Sequence, residues 1–114
     1  MSAWRVTRYE PLLQREITLI ALLPEYESGE PVPFEACLLL PEPACEADAL
    51  PRRLPLEREY CRERGMAVLC VPGWVAGHPR AEALLNQALP RWFEKLFPVR
   101  VAPGAVRVLP VGVL

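Results

Sequence analysis

Serine is nearly absent from this chain, occurring at Ser2 and Ser28 alone. The final stretch, Val108-Leu109-Pro110-Val111-Gly112-Val113-Leu114, holds no serine, cysteine or threonine, so it offers no nucleophile for covalent catalysis. Histidine occurs once, as His78, with no partner nucleophile in view. Charge of one sign is missing too: 13 basic residues against 14 acidic ones leave a net charge of −1. That balance gives no electrostatic case for binding nucleic acid or an anionic membrane surface. No apolar run approaches the roughly 20 residues that span a bilayer. Residues 1–10 include Arg5, Arg8 and Glu10 and lack the apolar core of a signal peptide, so a cytoplasmic location is expected. The cysteines, Cys37, Cys45, Cys61 and Cys70, are 8, 16 and 9 residues apart. They form neither a CxxC pair nor a zinc pattern, and no metal or other cofactor is expected.

What is present is a chain of 114 residues, 52% hydrophobic. That length implies one domain, and that composition a real core. The usage is skewed: 12 arginines to one lysine, 13 glutamates to one aspartate, and 14 prolines. Arginine–glutamate networks and proline-stiffened loops fit a thermophilic bacterium. Cys37 and Cys70 sit inside apolar runs and read as small buried hydrophobes. A disulfide between some pair is the alternative, which a cytosolic setting disfavours.

Residues 15–23 are aliphatic, end at Pro24 and predict a strand. Residues 3–9 alternate apolar and polar and should pair with it as an edge hairpin. Ser28-Gly29-Glu30-Pro31 marks a turn. Residues 34–40, bounded by prolines, predict a buried strand, and the proline-rich stretch 41–51 a loop. A helix follows over 54–64, with Pro55 in its first turn, a stripe of Leu56, Tyr60 and Cys61, and Gly65 just past its end. Residues 66–71 form a continuous apolar strand, the pattern of one covered on both faces. The clearest helix is 80–97, whose wide apolar face carries Leu84, Leu85, Ala88, Leu89, Trp92, Phe93, Leu96 and Phe97. Pro90 falls on its polar side, where a kink bends the helix around the sheet. A last strand is expected at about 105–109. Strands that alternate with helices through short links imply an α/β fold built on a parallel sheet.

This order, with several local phrases, resembles the esterase branch of the α/β hydrolases that holds tributyrin esterases, S-formylglutathione hydrolase and enterochelin-esterase-like proteins. Leu12-Leu13-Gln14-Arg15-Glu16-Ile17 is similar to that group's opening strand. Pro31-Val32-Pro33-Phe34 through Leu38-Leu39-Leu40 looks like the strand that ends there in Leu-Leu-His-Gly. Residues 50–73, ending in Pro72-Gly73-Trp74, resemble the next helix and strand. Ala88-Leu89-Pro90-Arg91-Trp92 through Leu96-Phe97-Pro98 resembles the long helix after them, which also carries a proline. The resemblance covers nearly all of this chain but only the first half of such an enzyme. It implies a truncated, three-layer α/β-hydrolase-like domain over residues 1–114, with a mixed sheet of about five strands. The sheet would be antiparallel at its N-terminal edge and parallel afterwards, with two main helices on opposite faces.

The departures from the family pattern carry the functional expectation. Where the family's His-Gly contributes to an oxyanion hole, this chain has Pro41-Glu42. Proline has no N–H, and a carboxylate repels a developing oxyanion. Where the family has its Gly-x-Ser-x-Gly elbow, the stretch after Val108 has no nucleophile. Pro41 and Glu42 thus stand at a vestigial oxyanion position, and no catalytic residue is expected. The expected function is a non-catalytic esterase-like interaction or binding module, or a decayed hydrolase. The alternative is an active ester hydrolase using Cys45, Cys70 or a nucleophile from a partner chain. A third possibility is that a neighbouring reading frame encodes the other half.

Trp74 stands past a strand's carboxyl end, where open α/β sheets bind ligands, and His78 follows in a loop. Both are candidates for a pocket or interface, against ordinary packing for Trp74 and a solvated turn for His78. Glu42, Glu46 and Asp48 form an acidic loop, suited to acid–base or metal chemistry or simply solvated. Arg52-Arg53 reads as a solvated helix approach or an anion site. An exposed last strand should make the chain a homo-oligomer, a twofold dimer through that C-terminal edge.

Overall fold

In the computed structural model, described over residues 2–25 and 33–111, five strands form one sheet. They are β1 (Ser2–Glu10), β2 (Arg15–Leu23), β3 (Phe34–Leu40), β4 (Ala67–Cys70) and β5 (Val99–Val108), in the order β1-β2-β4-β3-β5. The β1–β2 and β2–β4 pairs are antiparallel. The β3–β4 and β3–β5 pairs are parallel. This is the expected mixed sheet, antiparallel at its N-terminal edge. The turn expected around Ser28-Gly29-Glu30-Pro31 lies outside the described residues.

Two helical layers cover the sheet. On one face pack α1 (Ala49–Arg53) and α2 (Glu57–Arg62), bringing Leu50, Leu56, Tyr60 and Cys61 onto Ile20, Leu22, Cys37, Leu39, Val68 and Cys70. On the other lies α3 (81–96), whose Leu84, Leu85, Leu89 and Phe93 cover Leu19, Ala21, Leu38, Leu40 and Leu69. Successive strand residues alternate between these two cores, as a pleated sheet requires. β4 is apolar at every position, and β3 is so from Ala36 to Leu40, because both faces are covered there.

Pro90 shapes α3 differently from a simple kink. Just ahead of it, Leu84–Ala88 widens into a π-helical turn, closed by the Leu89 N–H on the Leu84 carbonyl. Proline donates no bond and crowds the preceding turn, and one wider turn absorbs that mismatch. Asn86 and Glu94 on that side are exposed, while Phe93 is fully buried. Gly65 ends the α2 region at φ +62°, the left-handed conformation expected of it.

Three elements differ from expectation. The stretch 41–51 contains the start of α1, whose Ala49 and Leu50 are buried, because its prolines lie outside the apolar pair. A short 3₁₀ helix, Gly73–Gly77, follows β4. β5 begins at Val99, six residues earlier than its sequence suggests, and pairs first through Phe34–Val99 to Ala36–Val101. The register then slips and resumes at Leu38–Val106. Pro103 and Gly104, at φ +75°, occupy the bulge and disguise the strand in the sequence.

Candidate functional site

The connection after β3 leaves for the face holding α1 and α2, whereas the one after β4 leaves for the face holding α3. Where neighbouring parallel strands send their connections to opposite faces, a crevice opens between their carboxyl ends, the usual ligand position of open α/β sheets. Here each of the three parallel strands runs into a proline: Pro41 after β3, Pro72 after β4, Pro110 just beyond β5. The ladder ends with the Val71 N–H on the Leu39 carbonyl (2.9 Å) and the Leu109 N–H on the Leu40 carbonyl (2.8 Å). A proline then supplies no donor to extend it.

Main chain fills the crevice. Glu42 opens a turn closed by the Cys45 N–H on its carbonyl at 2.9 Å, and the Gly73 N–H donates to the Cys45 carbonyl at 2.9 Å. Gly73 lies so close to the other loop that a Cβ there would overlap the Glu42 carbonyl oxygen. It would stand 2.6 Å from the Glu42 carbonyl carbon and 2.7 Å from the Pro41 oxygen. The half-buried Glu42 carboxylate accepts the Val111 N–H, at 3.0 Å to Oε1 and 3.2 Å to Oε2. The half-buried Cys45 thiol is 3.9 Å from Oε2. Glu42 thus ties the loop after β3 to the segment after β5. Its position was legible in the sequence; its partner, 69 residues away, was not.

The other candidates lie around this rim in separate roles. Half-buried Trp74 packs against the α3-side core, with the Arg15 guanidinium 4.0 Å from its ring centre. Beside it is a shallow cleft of about 310 Å³ that Glu46 and Asp48 share with Arg5, Arg15 and Glu16. Asp48 lies 3.8 Å from Arg52, a pair exposed enough to contribute little. His78 is bound locally: its Nδ1 accepts the Arg80 N–H at 3.0 Å, and its carbonyl accepts the Ala81 N–H at 3.0 Å. It holds the turn that leads into α3.

Among the described residues no group of three or more His, Cys, Asp or Glu side chains could hold a metal ion, and no helix is long and apolar enough to cross a membrane. All four cysteines are free thiols. Burial pushes the Cys37 thiol up to about 11 and Cys70 up to about 12, and it raises Cys61 as well. Cys70, fully buried, is therefore no candidate nucleophile. An apolar cleft of about 690 Å³, lined by Trp4, Phe34, Leu96 and Phe97, sits at the opposite end of the parallel strands. Sequence periodicity missed it because it placed Leu96 on the core face, whereas Leu96 is 58% exposed.

No family model matches the chain, and no curated protein matches it either. Solved structures do. The fluorophosphonate-binding serine hydrolase FphF of Staphylococcus aureus is similar at a TM-score of 0.74 and 16% identity, over 96% of this chain and 46% of that one. The S-formylglutathione hydrolase FrmB of the same organism gives 0.72 and 17%, over 96% and 46%. A CE1 ferulic acid esterase from Anaeromyces mucronatus gives 0.60 and 14%, over 96% and 48%. The chain spans about half the length of these structures. Its sheet order, its layers and these matches identify its fold as α/β-hydrolase-like, shared with about half of each of these structures.

Proposed function

We propose that this chain is a non-catalytic esterase-like domain that works by binding or interaction. The observation that carries the reading is the Glu42 carboxylate on the Val111 N–H. Acyl transfer needs donors aimed at a developing oxyanion. Here a carboxylate holds a backbone N–H at the strand rim, and the adjoining Pro41 has none to give. The main-chain contact between Gly73 and the Glu42–Cys45 turn adds support, since it draws the loops after β3 and β4 together where a substrate would lie. Four free thiols support a reducing, cytoplasmic setting, and the arginine- and glutamate-rich composition a thermophilic source.

One observation favours a second reading, an ester hydrolase with an unusual nucleophile. The Cys45 thiol is half-exposed and lies beside the Glu42 carboxylate, which could take its proton. Hydrolysis of p-nitrophenyl acetate separates the two. The non-catalytic reading expects the buffer rate. A rate above buffer that disappears in Cys45→Ala would replace it with the second.

A further inference from the structure

The sheet has two outer edges, and they are built differently. β5 was the expected association edge, and Val108 on it is 60% exposed. Yet β5 is broken at its middle by Pro103 and the left-handed Gly104. Proline and bulges are the devices that keep an edge strand from pairing. β1 has neither. Its nine residues pair with β2 in one unbroken register, from Ser2–Leu23 to Glu10–Arg15. Its outer side pairs with no strand among the described residues. Two of its aromatic side chains, Trp4 at 52% and Tyr9 at 58%, are more than half exposed.

We propose that β1 pairs antiparallel with β1 of a second copy, joining two sheets into one across a twofold axis. The strand's own sequence selects the register. In an isologous antiparallel pair, opposed residues share a face, so each must face a residue an even number of places away. Centring the axis on Val6 uses all nine residues. Val6 then faces the partner's Val6, Trp4 faces the partner's Arg8, Arg5 the partner's Thr7, and Ala3 the partner's Tyr9. No like charges oppose one another, and each copy sets an arginine beside an aromatic ring, a favourable cross-strand pair. Centring on Arg5 or Arg8 would set arginine against arginine. The paired length is about 30 Å at roughly 3.4 Å per residue, and main-chain bonds along it supply the affinity, as in strand addition generally. This association goes beyond the catalytic question and holds whether or not the chain hydrolyses esters.

Size-exclusion chromatography with light scattering tests it on the whole chain. A dimer is expected at micromolar concentration. Val6→Lys should yield monomer with its circular dichroism spectrum retained. An equimolar mixture of Val6→Lys and Val6→Glu should restore the dimer mass, while Val108→Lys should leave it unchanged. A second measurement does not depend on Val6→Lys folding: Val6→Cys should oxidise to a covalent dimer, and Val108→Cys should not. A monomeric wild type, a dimer indifferent to Val6→Lys, or cross-linking through Val108→Cys instead would each overturn the proposal.

Discussion

Gly73→Ala tests the closure of the crevice most directly. The added carbon would meet main-chain atoms rather than flexible side chains: the Glu42 carbonyl oxygen and carbon and the Pro41 oxygen. Its 2.6 and 2.7 Å separations are closer than such carbons approach backbone atoms, so one loop must move by several tenths of an ångström or more. Overpacking a well-filled site costs about 1–3 kcal/mol. Retreat of the Glu42–Cys45 turn would also strain the Gly73–Cys45 bond, worth about 1 kcal/mol, and the charged Glu42–Val111 bond, worth about 2 kcal/mol. Part of each is recovered through water, leaving a net loss of about 4 kcal/mol. For a domain of this size that is a fall of about 15 °C in Tm. Equilibrium urea unfolding and calorimetry read it. The neighbouring Gly77 has nothing within 4 Å of its would-be Cβ, so Gly77→Ala should stay within about 0.5 kcal/mol of wild type. A Gly73→Ala protein within about 1 kcal/mol of wild type would refute the reasoning.

Further outcomes follow from the same geometry. Glu42→Ala should cost about 2 kcal/mol and speed solvent exchange of the Val111 amide, read by NMR; its cost should not add to that of Gly73→Ala, because the two share one contact. Under native conditions a thiol reagent should titrate Cys45 quickly and reach Cys37, Cys61 and Cys70 only on unfolding, since three are buried and one is half-exposed. Stability should fall on the alkaline side: with Cys37 and Cys70 raised from 9.0 to about 11 and about 12, the unfolded chain sheds these protons first. The stabilisation is complete below pH ~9 and is lost progressively up to about pH 12. Cys37→Ala with Cys70→Ala should flatten that slope in pH-dependent urea unfolding. His78→Ala should cost about 0.5–1 kcal/mol, the size of a lost cap, whereas His78→Asn, which can accept the same Arg80 N–H, should recover most of it.

The fold was legible wherever local pattern and burial agreed. Continuous apolar runs marked β3 and β4 because both cores claim them, and the wide stripe of Leu84, Leu89 and Phe93 marked α3. What stayed hidden came from long-range geometry. The start of β5 was masked by Pro103-Gly104, residues that read locally as a turn and become a bulge only beside β3. The π turn before Pro90 reads the same as an ordinary helix. At the rim, Pro41 and Glu42 stood out against a family pattern, but nothing near Glu42 announces Val111. Nor does Gly73 reveal in sequence that another loop's backbone occupies the space of its missing side chain. Trp74 and His78 follow β4 at the same end of the sheet as Glu42, Trp74 against the α3-side core and His78 in the turn before α3.

The three prolines that end the parallel strands have one more consequence. Each contributes a carbonyl oxygen and withholds a hydrogen, and Glu42 adds two more oxygens beside them. The Val111 amide already takes up both of those oxygens, and with no donor at any of the three prolines no further rung can be added, so the three strands are trimmed to a common finish at this margin.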